Sequence, residues 1–474
     1  MESIIQQIAL QYITDIMNYL SENGITSIGE TAEELLKFGK TAALAILSEA
    51  IRNMDLALVD ACKERKNDGF RIKERDVPRR VFTSLGEVNY TRTYFDNKSG
   101  EYAYLCDDLI GVEAYERLSP ELSAALVQKA SEISMEKSAR YLDVPVTRQS
   151  VNNKVLALKE VCVDAVPAEY TPPELHVFAD EDHVHMKSGN HRIVPLVTVT
   201  EGIDASVKRH KTIHSIHFEG FGMDNQCLFE NLSAFLYKRY DMEKVKKVYV
   251  HADGANWIKS AKQWLPNVHF VMDGFHLERQ LRRLARIPGA VCHMATIRKA
   301  LREDKFETFV DACAKIDDGL PEAEHEKLKE CINFIQNHWE AIVLRFQEGM
   351  CGSCTEPLVS HVLSERLSRQ PLAWSEHGLR QMAMLRVFVK NGGVVSATDI
   401  RVSRRKTELE NDALQRKNGY AKYRILADKQ IHELMSTRHD WSLLEPALRR
   451  SGKLDSVGLL KKAYGSLRDN FASA

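Results

Sequence analysis

The sequence predicts an α/β protein. Its centre is a mixed sheet with helices on its faces, interrupted by a helical insertion. A helical and β N-terminal part with a helix-turn-helix precedes the sheet. Three observations predict this. Between Leu175 and Asp273, β-rich and helical runs follow in the order β-β-β-α-β-α-β. Short turns there give an antiparallel meander, and intervening helices give parallel pairs. From about Leu277 to Gly349 the pattern is helical, highly charged and without strand signal. Ahead of the sheet, a short helix, a tight turn and a capped helix stand in succession.

The chain has 474 residues, 44% hydrophobic and 28% charged, which excludes a mainly disordered protein. Its length predicts more than one domain. Lys and Arg number 65 against 66 Asp and Glu, so any grip on nucleic acid has to come from local basic surfaces. No apolar run is long enough to span a bilayer. The start lacks a basic stretch followed by an apolar core, so no secretory signal is expected. Nine scattered cysteines, an odd count, predict reduced thiols and a cytoplasmic setting.

Residues 1 to about 66 read as helices, with Ile4, Ile5, Ile8, Ala9 and Tyr12 at helical spacing. Gly24 breaks the first, and a second runs from about Thr31. They read as a packing or oligomerisation element. Arg80 to Phe95 is rich in β-branched and aromatic residues, 96–100 has turn chemistry, and Glu101 to Leu105 resumes the strand pattern. This is a small antiparallel β-element. Arg79, Arg80, Arg92 and Lys98 either face a phosphate backbone or are ordinary solvated strand residues.

Ser119-Pro120-Glu121 opens a helix with a capping hydroxyl, a first-turn proline and an acid at the positive dipole end. Leu122, Leu126, Ala130 and Ile133 form its apolar face. A short helix over about Met135–Leu142 ends at Asp143-Val-Pro145. Thr147 then caps a helix with Val151, Val155 and Leu158 inward. Outward stand Arg148, Gln149, Asn152 and Asn153, side chains that hydrogen-bond base edges or phosphates. A polar-faced αα-hairpin fits the same pattern.

After a linker at Pro167–Pro173, strands are expected over Leu175–Met186, Arg192–Val199 and Lys211–Phe218. A helix over Asp224–Tyr240, a strand over Val245–Ala252, a helix over Ala255–Trp264 and a strand over Val268–Met272 follow. A later helix begins near Glu356-Pro357 with Val359, Leu363 and Leu367 on one stripe. From about Ser396 the chain reads as helical and locally basic, with Arg401, Arg404, Arg405, Lys406, Arg416 and Lys417.

Asp180 and Asp182 lie two apart on one strand, so they share a face. Asp253 stands just past a strand end, where ligands of α/β sheets usually bind. Glu356 begins a helix. An oxygen-only set suits Mg²⁺ or Mn²⁺, and two such ions activate an attacking oxygen and stabilise a leaving one at phosphorus. Any one of these acids taken alone reads as a cap or turn residue. The histidines offer a rival site: His183, His185, His214, His217, His251 and His276 with Asp253 around a transition metal. The metal hydrolases that use such a set need an eight-fold βα barrel, and no strands after Leu277 supply it. Cys351-Gly-Ser-Cys354 lacks the two further ligands of a structural zinc site. Nucleotide-binding glycine loops and serine-hydrolase motifs are absent.

The stretches Phe178-Ala-Asp-Glu-Asp-His-Val-His185, Val250-His-Ala-Asp-Gly-Ala-Asn-Trp257, Val271-Met-Asp-Gly-Phe-His276 and Thr355-Glu-Pro-Leu-Val-Ser-His361, with Arg366 following, carry a resemblance. The chain resembles DDE transposases of the bacterial ISLre-type insertion-sequence family, which have a ribonuclease H-like core. Asp273-x-x-His276 is similar to the [Cys/Asp]-x-x-His that follows the second Asp, ahead of a helical insertion, in Mutator-like and hAT-like transposases. The resemblance implies Asp180, Asp253 and Glu356 as catalytic metal ligands for two Mg²⁺ or Mn²⁺ ions. Asp182 is the alternative first acid, and Glu365 lies on the same helix as Glu356. Asp273 and His276 are implied to shape the site. Double-stranded DNA of element ends and target is the implied partner, and a homodimer or larger assembly on DNA is expected. Arg148, Gln149, Asn152 and Asn153 would read the ends, and Arg404 and Arg405 would hold flanking DNA. The implied organisation is a helical region 1–70, a β-element 71–118 and a DNA-binding region 119–166. The catalytic core follows in two parts, 174–276 and 351–395, around an insertion 277–350, before a basic helical region 396–474. A non-catalytic DNA binder and a structure-specific nuclease on the same scaffold are the alternatives.

Overall fold

The computed structural model describes residues 4–25, 27–96, 102–142, 144–204, 206, 211–318, 320–350, 352, 354–369, 373–400 and 421–436. The chain forms two units: residues 1–126, 139–147 and 400–474, and residues 127–138 and 148–399.

The first unit opens with α1 (Ile4–Asn23), α2 (Ile28–Asp60) and α3 (Cys62–Asn67). α2 begins three residues earlier than its apolar pattern, because the Ser27 hydroxyl accepts from Glu30 N and caps it there. A hairpin of β1 (Arg71–Thr83) and β2 (Gly86–Asp96), with the short β3 (Tyr102–Ala103), forms a three-stranded sheet. The run Arg80–Phe95 is therefore two strands. It reverses at Ser84-Leu85, ahead of Gly86 at φ 130. α4 (Leu105–Ile110) and a last helix, Ala421–Ser436, complete the unit. Ile51, Leu58, Val88, Phe95 and Leu105 share its core with Tyr423 and Ala427.

Of the arginines singled out in this sheet, Arg79 and Arg92 are turned inward, while Arg80 stays exposed. Arg92 is buried, ion-paired to Asp107 and stacked 3.5 Å from the Tyr104 ring centroid. Arg79 donates to the carbonyls of Glu113 (2.9 Å) and Glu116 (2.5 Å), and Arg80 pairs with Glu87 at 3.1 Å. Lys98 lies outside the described residues.

α5 (Pro120–Ala130) starts as its sequence dictates, with the Ser119 hydroxyl accepting from Leu122 N at 3.1 Å. α6 (Met135–Ala139) is shorter than expected. Tight i to i−2 bonds from Val144 N to Leu142 O and from Val146 N to Val144 O replace the helix there. Pro145 has no N–H and drives Val144 out of helical geometry. α7 (Arg148–Leu156) follows, with Val151, Val155 and Leu158 fully buried.

The second unit is built on a five-stranded sheet: β4 (Glu174–His185), β5 (His191–Thr200), β8 (Ile216–Glu219), β9 (Lys247–Ala252) and β10 (Val268–Met272). A separate ribbon pairs β6 (Gly202–Asp204) with β7 (Lys211–Ile213). The sheet order is β10-β9-β4-β5-β8. β4, β5 and β8 pair antiparallel, while β4, β9 and β10 pair parallel. The expected third strand over Lys211–Phe218 is thus split between ribbon and sheet. His214, at φ 47, breaks it.

Alternation along β4 assigns its faces. Leu175, Val177 and Ala179 pack under α8 (Asn225–Arg239) with Leu228, Phe229, Leu232 and Leu236. His176, Phe178, Asp180, Asp182 and Val184 take the other face. α9 (Asn256–Lys259) follows β9, and α10 (Gly274–Ala285) follows β10. The insertion consists of α10, α11 (Met294–Arg302), α12 (Phe306–Asp317), α13 (Glu322–Asn337) and α14 (Trp339–Arg345) around its own apolar core. It starts at Gly274, three residues before its leucine pattern. The chain returns through α15 (Thr355–Val359), a π-turn at Ser360–Ser364, α16 (Glu365–Leu367) and α17 (Glu376–Lys390).

Edge strand β8 is closed by a side chain. Asn391 Oδ1 accepts from His217 N and its Nδ2 donates to His217 O, both at 2.8 Å. The same strand carries two oppositely shifted groups. Burial lowers His217 to about 4, although its Nδ1 lies 2.8 Å from the Thr198 hydroxyl. Burial raises Glu219 to about 7, against an opposing bond from Phe221 N at 2.7 Å. Between pH of about 4.5 and 6.5 the unfolded chain binds one proton more at His217 and one fewer at Glu219, so the two slopes cancel. Glu219→Gln is expected to leave a protein that loses stability as pH falls from about 6.5 to 4. His217→Gln is expected to leave one that loses stability as pH rises from about 4.5 to 7. Urea unfolding across this range reads both slopes.

Candidate functional site

Asp180, His276 and Glu356 converge. Each offers one ligand atom, and these atoms lie within 4.8 Å of one another. Asp180 comes from the middle of β4, His276 from the first turn of α10 and Glu356 from the first turn of α15. Burial raises Asp180 to about 6, opposed by its bond from Glu181 N and by His276, and reinforced by the charges of Glu356 and Asp253. A half-buried carboxylate with two further carboxylates near it is a donor set that fits a cation. Carboxylate oxygens with one imidazole are the chemistry of a divalent metal site.

Asp253 lies near this group without joining the tightest set. Its Oδ1 accepts from Ala255 N at 2.8 Å and closes the turn after β9. Asp273 is fully buried and caps α10, with Oδ2 accepting from Phe275 N (2.9 Å) and His276 N (3.1 Å). The same oxygen lies 3.0 Å from His276 Nδ1. That bond leaves Nε2 as the ring atom free for Asp180 and Glu356, the carboxylate–histidine arrangement of metal sites. Burial alone would lower His276, but the Asp273 bond and the Asp180 charge raise it. Expected only to shape the site, His276 thus stands inside it, a role readable in retrospect from the Asp-x-x-His spacing at a helix N-terminus.

Asp182 shares the face of Asp180 and is held elsewhere. Its Oδ1 accepts from the hydroxyls of Ser364 (3.0 Å) and Ser368 (2.9 Å). Burial still raises its carboxyl, and these two bonds oppose the shift. In an unbroken helix Ser364 would lie about 80° round the axis from Glu356, and Ser368 about 120°. The π-turn absorbs one residue, which brings both within about 20° of Glu356. One stripe then meets Asp180 and Asp182 together. Glu365 points elsewhere, pairing with Arg386 at 3.1 Å and His361 at 2.7 Å. Arg366 is buried, donates from Nε to Ala130 O at 2.8 Å and lies 5.1 Å from the Trp374 ring centroid.

Two Asp-Gly turns meet the insertion. Any Cβ at Gly254, which sits at φ 94, would collide with the His338 ring. His338 Nδ1 is bonded to Phe334 O at 2.8 Å, and its buried Nε2 has no hydrogen-bond partner. Any Cβ at Gly274 would collide with the Arg345 guanidinium, which donates to Met272 O at 3.4 Å. Burial lowers Arg345, while the Asp273 charge opposes that shift. Neither His338 nor Arg345 was singled out by the sequence, because nothing local marks them.

The rival histidine set does not assemble. His251 is buried, stacked on Phe178 at 4.4 Å between centroids and 3.0 Å from His176 Nδ1. Burial, then His176 and Arg345, pushes it down to about 3. His214 pairs with Glu201 at 2.8 Å and His183 with Glu181 at 3.6 Å. Cys354 is partly buried, and Cys351 lies outside the described residues. On α7, Arg148, Gln149 and Asn153 are exposed and Asn152 is partly so. Gln149 donates to Asn153 at 2.7 Å. Arg401, Arg404, Arg405, Lys406, Arg416 and Lys417 lie outside the described residues.

Asp182→Asn keeps the Oδ1 acceptor and is expected to unfold near the wild-type denaturant midpoint. Asp182→Ala removes the shared acceptor of two partly buried hydroxyls and is expected to cost on the order of 1–3 kcal/mol. Gly254→Ala is expected to cost about 1–3 kcal/mol from its left-handed backbone alone. Urea unfolding of the three variants checks this order.

The profile of the Uncharacterised protein family (UPF0236) matches residues 20–405, a span that contains the whole cluster. A UPF0236 protein of Caldanaerobacter subterraneus subsp. tengcongensis is 33% identical over 405 residues, covering 83% of this chain and 84% of its own. A second from that organism is 32% identical over 407 residues, covering 83% and 84%. The name of the first joins eleven loci, and that of the second four. A UPF0236 protein of Streptococcus gallolyticus, named for its place in the vanSb 3′ region, is 22% identical over 392 residues, covering 77% and 83%. Matched along its core, its insertion and its acid cluster, the chain belongs to the UPF0236 family.

Proposed function

We propose that this protein is a DDE-type transposase that cleaves DNA at insertion-sequence ends and joins the freed ends to target DNA. The observation that carries the reading is the meeting of Asp180 and Glu356 within 4.8 Å across a long helical insertion. The sheet order β10-β9-β4-β5-β8, an antiparallel meander extended by two parallel strands, supports a ribonuclease H-like core. Many loci under one name in one genome are what a mobile element leaves behind, and two relatives carry such names.

In this reading Asp180, Glu356 and Asp253 supply carboxylate oxygens, and His276 supplies a ring nitrogen oriented by Asp273. Mg²⁺ or Mn²⁺ bound there, as two ions, would activate the attacking oxygen and stabilise the leaving one. Water attacks the phosphodiester at each element end. Its oxygen forms a new P–O bond, the bond to the 3′ oxygen breaks, and that oxygen leaves as a 3′-OH. The 3′-OH then attacks a target phosphodiester and displaces the target's own 3′ oxygen, which takes the proton. α6 and α7 serve as the helix-turn-helix, with Arg148, Gln149, Asn152 and Asn153 toward DNA. Arg404 and Arg405 hold flanking DNA, and two copies pair two ends. The protein works in the cytoplasm, on the chromosome. Among the described residues no helix is long and apolar enough to cross a membrane.

The test mixes the purified full chain with duplex DNA from the flanks of its own gene, with Mg²⁺, Mn²⁺ or chelator. The expected result is metal-dependent nicking at a fixed end, followed by joined products. Asp180→Asn, Asp253→Asn and Glu356→Gln are expected to abolish both. Asp273→Ala, which releases His276, is expected to lower the rate about 10- to 100-fold. Cleavage that survives Asp253→Asn would sink the proposal. Nicking without joining would make the protein a nuclease, and specific binding without nicking a non-catalytic DNA binder.

A further inference from the structure

The helix that carries His276 has a second face. Leu277, Leu281 and Leu284 are buried in the insertion core. Opposite them stand Phe275, Arg279, Arg282 and Arg286, all exposed. Their spacing of four, three and four residues keeps them within about 60° of arc. The stripe begins beside the acid cluster, where the Phe275 ring meets the His276 ring edge to face at 5.3 Å. It runs roughly 16 Å along the axis at 1.5 Å per residue. A cleft of about 560 Å³ lies along it, lined by α10 residues and the Arg286 that caps the helix.

The charge of this face is not used up inside the protein. Glu278 is held by Arg298 through two bonds of 2.8 Å, so its bond to Arg282 at 3.3 Å leaves positive charge in excess. Arg283 pairs with Glu330. Among the described residues Arg279 and Arg286 have no carboxylate partner. A lone exposed Phe is ordinary on a protein surface. Phe275, 51% exposed, differs by heading an arginine row next to a candidate metal site.

We propose that this stripe binds the DNA strand being cut, in unpaired form. This deepens the transposase reading and rests on it. Phe275 stacks on a base next to the scissile phosphate, which metal held by Asp180, His276 and Glu356 would bring to the site. Arg279, Arg282 and Arg286 take successive phosphates as the strand leaves the site. An aromatic ring needs an open base face, which a single strand offers and an intact duplex does not. A partner peptide with acidic side chains would satisfy the arginines but would give Phe275 no stack.

The test measures binding of the full chain to a thirty-nucleotide oligothymidylate and to a duplex of equal length, across a salt series with EDTA. Losing two phosphate contacts in Arg279→Ala/Arg286→Ala is expected to flatten the single-strand slope of log K against log salt by about 1.4. Arg279→Lys/Arg286→Lys is expected to restore it. Phe275→Ala is expected to weaken single-strand binding roughly 5- to 150-fold, with Phe275→Trp near wild type and duplex binding unchanged. An unchanged slope in the double variant, or equal loss for both DNA forms in Phe275→Ala, would overturn the strand assignment. If the wild-type chain binds, nicks and joins its own flanking duplex while these variants bind like it, only this inference fails. If the wild-type chain binds neither probe at low salt, the transposase reading fails with it.

Discussion

A buried carboxylate with two hydroxyl donors organises the centre of this protein. Asp182 lies on the interior face of β4, where an unsatisfied acid would be costly. Ser364 and Ser368 satisfy one of its oxygens, and in doing so they fasten the Glu356 helix to the strand. The fastening separates two neighbouring acids: Asp182 is held by the serines through Oδ1, and Asp180 is left beside Glu356. The π-turn belongs to the same device, since without it the two serines and Glu356 could not face one strand. π-turns are rare and often mark functional positions.

Charge is divided with similar economy across the rest of the cluster. Asp273 is fully enclosed, yet its charge is met by two helix N–H groups, the His276 ring and Arg345. Asp180, Glu356 and Asp253 have no comparable set of internal partners, and they repel one another. The insertion contributes to this asymmetry directly. His338 and Arg345 press against the two glycines that follow Asp253 and Asp273, so the backbone of each acid is backed by an insertion side chain. The insertion is therefore part of the site's frame.

Much of this was legible in the sequence, for identifiable reasons. Strands β4, β5, β9 and β10 follow the apolar and β-branched runs, because burial dictates both. The cap at Ser119 is local chemistry and was read as such, while the same chemistry at Asp224 and Asp273 went unread because each stood at the bound of another element. The acids stood out as an ordered set, since any one of them alone reads as a cap or turn residue, as Asp253 indeed is. What was not legible depends on long-range contact or on single backbone angles. His214 splits a strand through one positive φ. Arg92 reads as a surface cation and is buried against Asp107. The different partners of Asp180 and Asp182 turn on serines nearly two hundred positions away in the chain. The promotion of His276 from neighbour to member of the cluster depends on which ring nitrogen Asp273 occupies.

The closing of the sheet's two borders has a consequence for assembly. On one side Asn391 occupies both backbone groups of His217, as a neighbouring strand would. On the other, α14 lies against β10 and its Arg345 takes the Met272 carbonyl. Open strand borders invite copies of a protein to zip together, and both ends of this sheet carry a stopper. Copies of the chain are therefore not invited to join by extending this five-stranded sheet. What this sheet presents at its borders is then side chain and helix, which can be matched to a particular neighbour in a way that bare backbone cannot.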